Sequence, residues 1–341
     1  MRHADATTIR TLLRTRDDLT GEGYAARQLM REATSGALTR VRRGRYVARE
    51  EWVTLWPESK HLAHVLAVSD SATTRPVFAF TSAAALHGLP LFRVRAERVH
   101  TIHPDAARRT NGTVIRHCAS LDESDVVEID GVLCTSLERT VYDLARLASA
   151  EVALVCLDTA LGGVGGDPRW YDDAAAAQWL AGIEERVGRM PGARGIRHAR
   201  ALLEVADGRS QQPLEIVTKL QLRRLGFRQP GLQVPVPAPS GGSYWLDLEL
   251  EESGAFYECD GETKYTDEAM RSGRTLEQVL LDEKRREDWV RGTTGKRVVR
   301  GGTPHSVTPA ALAGRLQSFG IELPDPRHRL LLPRRPFVYG Q

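Results

Sequence analysis

The pattern of apolar and polar residues in the first fifty positions predicts three short helices and then a hairpin of two strands. The helices are expected over 7–14, 17–20 and 24–34, where apolar residues recur every three or four positions. The strands are expected over 38–42 and 45–48, with a glycine turn between them. Local pattern alone therefore predicts a small helical unit with a hairpin at its end.

The third predicted helix has an apolar and a polar face. Leu29, Met30 and Ala33 are expected to face inward, and Gly36 to end the helix. The polar residues left on the outer face are Arg27, Gln28 and Arg31. The basic residues of the following hairpin are Arg40, Arg42, Arg43 and Arg45. Three helices followed by a basic hairpin is the order of a winged helix-turn-helix, in which the third helix would meet base edges and the hairpin would meet phosphates.

The region from 56 to 206 is predicted to be a mixed α/β domain. Short strands are expected at 77–80, 99–102, 114–117 and 126–129. Helices are expected at 81–87, 136–147 and 151–161, followed by a glycine-rich loop over 162–168. Ser82 and Ser136 each precede or begin a helix, so capping is expected rather than nucleophilic catalysis. His87 is expected to be a helix-end histidine bonded to a local carbonyl rather than a catalytic base, and the histidines at 100, 103 and 117 have no acidic partner at convincing spacing, so structural roles are expected.

The segment from 207 to 320 is expected to form a compact α/β domain of its own. Its predicted elements are a helix over 213–225, strands over 232–236, 244–250 and 255–260, a helix over 276–291, a strand over 298–300 and a helix over 309–319. The basic, proline-rich stretch over 321–341 is expected to be an extended tail. The predicted fold class is therefore a multidomain α/β protein with domains over 1–55, 56–206 and 207–320.

Carboxylates are placed where two of these strands would pair. Asp247 lies near the end of one predicted strand, and Glu258 and Asp260 lie two apart on the next, so they share a face. If the strands pair as a hairpin, the three carboxylates converge where Mg²⁺ or Mn²⁺ could be held for phosphodiester cleavage. Glu215, on the helix that opens the domain, could add a fourth, whereas Cys259 would face the apolar side.

These residues belong to a series of motifs in a recognisable order. The motifs are Pro213-Leu214-Glu215, Gln233-Val234, Leu246-Asp247-Leu248, Glu258-Cys259-Asp260-Gly261, and Glu283-Lys284-Arg285-Arg286 before Val298-Val299-Arg300. Over roughly 211–300 they resemble a domain related to very-short-patch-repair (Vsr) endonucleases, within the PD-(D/E)XK restriction-endonuclease superfamily. The resemblance implies a restriction-endonuclease-like fold and a metal role for Asp247, with Glu258 and Asp260 as its partners.

The sequence departs from that family at the lysine of the (D/E)-x-K triplet. Position 260 is Asp, and Lys264 stands where relatives often have a histidine. Lys264 or Lys284 could supply the missing positive charge, and Arg285 and Arg286 could hold phosphate. Two functions therefore stay open: a Mg²⁺-dependent DNA endonuclease, and a nuclease fold that has lost cleavage and only binds.

The N-terminal part carries a second resemblance. The stretch 24–36 followed by 38–47 resembles the winged-helix domain of AbiEi-type antitoxins, and 82–89 with 135–140 resembles the domain that follows it. The resemblance implies DNA binding and transcriptional self-repression in a toxin–antitoxin setting. A cognate toxin is left open as a partner, beside double-stranded DNA.

Composition narrows the class of protein further. Hydrophobic residues make up 41% and charged residues 27% of the 341, and no apolar run is long enough to span a membrane. The first twenty residues do not read as a secretion signal, so a cytoplasmic protein is expected. Four cysteines far apart disfavour structural zinc and a disulfide framework. Because the net charge is only +3, an anionic partner has to be argued from local basic clusters.

Overall fold

The computed structural model describes residues 4–94, 98–103, 109–260 and 275–333. Within them the chain is mixed α/β, with 14 helices and three sheets. It forms two compact units: the first contains the described residues up to Cys156 together with 192–195, and the second contains 157–191 and the described residues from Ile196 onward. The predicted mixed α/β class with more than one compact unit is confirmed. No helix of the described ranges is long and apolar enough to cross a membrane.

The first unit opens with the predicted helices and hairpin. Its elements are α1 (Ala6–Leu12), β1 (Arg14–Thr15), α2 (Arg16–Gly21), α3 (Ala26–Ser35), β2 (Leu38–Arg42) and β3 (Arg45–Ala48). The short strand β1 was not predicted; it pairs with β3, which gives a three-stranded antiparallel sheet in the order β1-β3-β2. Gly36 ends α3 in the left-handed conformation, as predicted.

One predicted core residue of α3 is wrong. Leu29 is buried at 2% exposure, but Met30 is 75% exposed. The small core that α3 joins contains Leu19, Leu29 and Leu38. The buried face of α3 is too narrow to include the residue after Leu29, so the side chain of Met30 lies on the surface.

The rest of the first unit surrounds a six-stranded sheet. Its elements are α4 (Arg49–Thr54), α5 (Pro57–Ser71), β4 (Val77–Phe78), α6 (Thr81–Leu86), β5 (Val99–Ile102), β6 (Arg109–Asn111), β7 (Val114–His117), β8 (Val126–Ile129), β9 (Val132–Thr135), α7 (Leu137–Leu147) and the start of α8 (Ala150–Gly165). The strand order is β6-β7-β5-β4-β9-β8. The sheet is mixed, since β4–β9 and β5–β7 are parallel pairs and the other pairs are antiparallel.

The polar residues singled out in this region have structural partners. Ser136 caps α7 as predicted, but Ser82 is buried inside α6 and its hydroxyl accepts the His100 N–H at 2.9 Å, so the capping prediction is wrong there. His100 Nδ1 and His117 Nε2 lie 2.9 Å apart and both rings are buried. His87 Nε2 bonds the carbonyl oxygen of Thr135 at 2.8 Å.

The glycine-rich stretch after 161 is helical, which corrects the predicted loop. Helix α8 continues to Gly165. A Cβ at Gly162 would lie 2.6 Å from the carbonyl oxygen of Gly208, so two backbone segments touch at this point. The glycines therefore allow close packing of the helix, rather than interrupting it.

The second unit contains a four-stranded sheet between helices. Its further elements are α9 (Asp173–Arg189), α10 (Ile196–Leu203), α11 (Pro213–Leu225), β10 (Gly231–Pro237), β11 (Ser243–Leu250), β12 (Ala255–Cys259), α12 (Leu276–Thr294), β13 (Arg297–Gly301), α13 (Thr303–Ser306) and α14 (Pro309–Ser318). The strand order is β10-β11-β12-β13, with β10–β11 and β11–β12 antiparallel and β12–β13 parallel.

Two hydrophobic clusters hold the helices to this sheet. One joins Leu222 of α11 and Leu312 of α14 to Tyr257 of β12, and the other joins Val290 of α12 to Phe256. Because Phe256 and Tyr257 are adjacent on one strand, the two clusters lie on opposite faces. The sheet is thus covered by α11 and α14 on one side and by α12 on the other.

The predicted extended tail is partly packed. The Leu330 N–H donates to the carbonyl oxygen of Arg223 at 2.9 Å, at the end of α11. Gly226, with a φ of +104°, lets the backbone at Asp325 approach so closely that a Cβ at Gly226 would lie 2.9 Å from the Asp325 oxygen. The prediction of an unpacked tail is therefore wrong for the part of the chain between Asp325 and Leu330.

Candidate functional site

Asp247 lies beside the strand that carries Glu258. The described ladder between β11 and β12 ends with Leu248 opposite Tyr257. Just beyond it, Asp247 Oδ2 accepts the backbone N–H of Cys259 at 2.8 Å. The carboxylate is therefore held against the next strand by a charge-assisted hydrogen bond.

The backbone is distorted at Gln233, the residue of β10 that comes opposite Asp247. Gln233 has a φ of +47°, a conformation that residues with a side chain rarely adopt. Leu246 and Leu248, two apart on β11, pack in different hydrophobic clusters, so the alternation of side chains shifts between them. Backbone strain of this kind costs on the order of 1–3 kcal/mol and is concentrated at functional sites. The sequence predicts that Gln233 lies in a strand and in the motif series, but no residue pattern indicates the strained backbone.

Glu215 is brought to the same place from α11. Its side chain lies in the first turn of the helix and is 2% exposed. Glu215 Oε2 accepts Gln233 Nε2 at 3.2 Å and the backbone N–H of Gln211 at 2.8 Å. The positive end of the helix dipole further stabilises its negative charge. Gln233 is thus bonded to Glu215 and comes opposite Asp247 in the strand register.

The pKa of the Cys259 thiol is affected by the carboxylates around it. Burial, followed by the negative charges of Asp247, Glu215 and Glu258, raises the pKa of Cys259 well above its usual range. The thiol is therefore neutral and packs in the core, as the sequence predicted, with its sulfur 3.3 Å from the hydroxyl of Thr218. Burial is the largest cause of this shift, and the nearby carboxylates add to it.

Glu258 is engaged by α12. Arg286 donates through both Nη atoms to its carboxylate at 3.1 and 3.3 Å, and also donates to the carbonyl oxygen of Trp245 at 2.8 Å. The exposed fractions of the two side chains are 10% for Glu258 and 23% for Arg286. In this arrangement Arg286 neutralises Glu258, and a phosphate would have to compete with that carboxylate for its guanidinium.

Asp260 belongs to a second ion-pair network on the same face. Arg300 lies 3.5 Å from Asp260, 2.8 Å from Glu283 and 3.2 Å from Glu287. Burial opposes the charge of Arg300, but the bond to Glu283 and the surrounding carboxylates outweigh it and raise its pKa. The predicted partners of Asp247 are thus both paired with arginines.

The remaining predicted site residues are dispersed. Lys284 and Arg285 are exposed on α12, and Arg285 pairs loosely with Asp282 at 3.5 Å. Lys264 lies outside the described residues. In the described ranges, no group of three or more His, Cys, Asp or Glu side chains is arranged to hold a metal ion. Of the predicted carboxylates, Glu215 is bonded to the side chain of Gln233, and Asp247 comes opposite Gln233 in the strand register.

The basic surface of the first unit has two parts. On α3, Arg27 and Arg31 are exposed and Gln28 is half-buried. On the hairpin, Arg40 and Arg43 are exposed. No described carboxylate is in an ion pair with any of these four arginines, so their charges are available to an anion.

Two hairpin arginines are held by local contacts. Arg42 Nε donates to the hydroxyl of Ser71 at 3.0 Å, and Arg45 Nη1 donates to the carbonyl oxygen of Gly44 at 3.3 Å. Both side chains are half-buried. They therefore support the hairpin and present less of their charge to solvent than Arg40 and Arg43 do.

The chain is similar to uncharacterized proteins from two strains of Mycobacterium tuberculosis. Each is 26% identical to it over 274 residues, which is 76% of this chain and 92% of the relative. The match covers most of both chains, so these proteins share more than one part of this sequence. No protein-family model matches the chain.

Proposed function

We propose that this protein binds double-stranded DNA and that its second unit is a Mg²⁺- or Mn²⁺-dependent endonuclease. The observation that carries the proposal is the arrangement of Glu215 and Asp247 around the strained residue Gln233. These residues belong to a series of elements in the order helix, three antiparallel strands, helix and parallel strand. This is the order expected of a restriction-endonuclease-like domain.

The donor set fits a hard divalent cation. Mg²⁺ is usually bound through one or two carboxylates, with waters and substrate phosphates completing its shell, rather than by an all-protein cage. Glu215 and Asp247 would be those carboxylates, and the hydrogen bonds that hold each of them in place support this assignment. The cation would supply Lewis acidity and a bound water of lowered pKa.

The chain's own residues would orient this site. The Cys259 N–H holds one oxygen of Asp247, and the amide of Gln233 holds one oxygen of Glu215. Both carboxylates are therefore fixed before substrate arrives, which lowers the entropic cost of assembling the transition state. Arg286 would shield Glu258, so that this carboxylate adds little negative charge in the path of an approaching phosphate.

The first unit would read the DNA. Its order α1-β1-α2-α3-β2-β3, with β1 paired to β3, agrees with the proposed winged helix. Arg27 and Arg31 on α3 would then face base edges in the major groove, and Arg40 and Arg43 on the hairpin would contact phosphates. Counterion release from these contacts would make affinity fall with salt.

The second candidate is an AbiEi-like antitoxin or autorepressor in which the nuclease fold only binds. The observation that favours it is the pairing of Glu258 with Arg286 and of Asp260 with Arg300, in place of a free (D/E)-x-K triplet. Such a protein would bind DNA, and Glu258 and Asp260 would stay in structural ion pairs. A cognate toxin would be its other partner.

The endonuclease and the repressor can be distinguished by incubating supercoiled plasmid with the full chain and Mg²⁺, Mn²⁺ or a chelator. We expect metal-dependent nicking that Asp247→Asn abolishes, since Asn keeps a hydrogen-bond acceptor for the Cys259 N–H but loses the charge. The matched control is Glu251→Gln, which removes an exposed carboxylate of the same unit and should cut normally.

Two outcomes would decide against the nuclease. Equal cutting by Asp247→Asn and wild type would place the activity elsewhere or in a contaminant. Salt-dependent DNA binding without cutting by folded protein would favour the repressor. In that case Arg27→Ala/Arg31→Ala should weaken binding in a fluorescence anisotropy titration, whereas unchanged binding would contradict the proposed reader.

A further inference from the structure

A pocket of about 400 Å³ in the second unit is lined by basic side chains. The charged and titratable residues that line it are Arg197, Arg200, Glu204, Arg223, His328 and Arg329. Four arginines against one glutamate give the lining a formal charge of +3 with the histidine neutral. We call this site the arginine pocket; it is separate from the carboxylates at the start of α11.

Helix α10 forms one wall of the arginine pocket. Arg197 and Arg200 are exposed and three residues apart, so they lie on one face, while Ile196 and Ala199 are buried on the other. Arg200 is in the last turn, where the helix dipole favours a cation. Arg197 is in the first turn, where the dipole disfavours one, so helix stability does not account for it.

The end of α11 and the returning chain form the opposite wall. Leu330 is tied to the Arg223 carbonyl, and the close approach of Asp325 to Gly226 fixes the segment that leads to it. Arg329 lies between these two anchors. Residues distant in the sequence are therefore brought together as one basic surface.

The positive charges of the arginine pocket are not balanced locally. No described carboxylate forms an ion pair with Arg197, Arg200, Arg223 or Arg329. Arg223 bonds only the Phe227 carbonyl through Nη1, at 2.5 Å, and its buried Nε has no hydrogen-bond partner among the described residues. Like charges held together without counterions favour binding of an anion.

We infer that the arginine pocket binds the phosphodiester backbone of duplex DNA. The guanidinium group matches phosphate oxygens in pairs, and a row of arginines fits a row of phosphates. No Phe, Tyr or Trp is among the lining residues, so the pocket offers no ring for the base stacking that single strands use.

This inference rests on the proposed function, because it adds a DNA-binding site to the second unit, which is the proposed endonuclease. Arg223 follows Glu215 by eight residues on α11, which is roughly 12 Å along a helix. That distance corresponds to about four base pairs of B-DNA. Residues 215–222 of α11 are buried, so the helix itself offers a duplex no surface, and the arginine pocket at its C-terminal end would be a DNA contact separate from the carboxylates.

Fluorescence anisotropy of the full chain with a labelled duplex, at several salt concentrations without divalent metal, tests the inference. Arg197→Gln/Arg200→Gln should weaken binding several-fold and reduce the slope of log K against log salt by about 2, one for each phosphate contact. The matched control is Arg169→Gln/Arg189→Gln, which removes two exposed arginines of the same unit that are paired with carboxylates. Its slope should change by much less.

The results separate failure of this inference from failure of the proposed function. If wild type binds the duplex and the pocket variant has the same slope, the arginine pocket does not contact DNA although the protein does. If wild type does not bind the duplex at all, the proposed function fails as well. Thermal stabilisation of wild type but not of the pocket variant by inorganic phosphate, without duplex binding, would identify a small-anion site and overturn the DNA assignment. Tighter binding of an RNA duplex than of DNA would overturn it too.

Discussion

The buried ion pair between Lys219 and Asp158 gives a prediction whose size follows from the structure. Lys219 is on α11, one turn after Glu215, and Asp158 is in the part of α8 that belongs to the second unit. Their charged atoms are 2.5 Å apart and both side chains are 0% exposed. The Asp207 backbone completes the site, with its N–H 3.1 Å from Asp158 and its carbonyl oxygen 3.3 Å from Lys219.

Replacing Lys219 with Met leaves the carboxylate of Asp158 buried without its counter-charge. Breaking a buried pair in this way costs about 3–5 kcal/mol when the remaining group stays charged. If that group takes up a proton, the cost falls to that of an unmade hydrogen bond, about 1–3 kcal/mol. The destabilisation by Lys219→Met should therefore depend on pH.

The direction of that dependence follows from the pKa of Asp158. Burial raises this pKa from 3.8 to about 6, although the charge of Lys219 lowers it. A folded-state pKa above that of the unfolded chain means that stability is highest at low pH and is lost as pH rises through the folded value. In wild type this loss of stability ends near pH 6, the folded-state pKa of Asp158. Without Lys219 the pKa of Asp158 is higher, so the loss of stability continues to higher pH. Lys219→Met should cost more at pH 8 than at pH 5.5.

Hydrogen exchange with mass spectrometry on peptides from α11 measures the free energy of opening in this unit. The matched control is Lys296→Met, since Lys296 is 30% exposed in its pair with Glu249 and should cost less than about 1 kcal/mol. An Asp158→Leu/Lys219→Met variant should recover most of the loss, because no charge is left buried. Equal costs of Lys219→Met at the two pH values would refute the reasoning.

Three further predictions concern single side chains. Arg286→Ala should lower stability by about 1–3 kcal/mol in urea unfolding, because Glu258 loses its partner while 10% exposed; no loss would mean that the pair contributes nothing. Iodoacetamide should alkylate the exposed Cys118 before Cys259, whose thiol burial holds neutral, and the reverse order in peptide mass spectrometry would contradict the buried site. Burial lowers the pKa of His87, so its contribution to stability is present above pH 6.5 and falls as pH drops through the lowered value; His87→Gln should flatten that fall in thermal unfolding, and an unchanged profile would count against it.

The amino-acid sequence by itself determined many of the local elements. The hairpin strands Leu38–Arg42 and Arg45–Ala48 and the helix Pro213–Leu225 were predicted with the bounds they have, because alternation, helical periodicity, Pro at the first helical position and Gly turns act over a few residues. The motif that contains Asp247 was also visible, since two neighbouring strands of a hairpin meet without any distant information.

Only the tertiary structure decided which side chains meet. Arg286 was expected to hold phosphate, but a helix packed across the sheet brings it to Glu258, 28 residues away. Other features also depend on residues far apart in the chain. They are the surroundings of the strained residue Gln233, the pair between Asp158 and Lys219, and the arginine pocket. Charged side chains that are distant in sequence leave no periodic signal, because their pairing depends on how whole elements pack and not on the residues beside them.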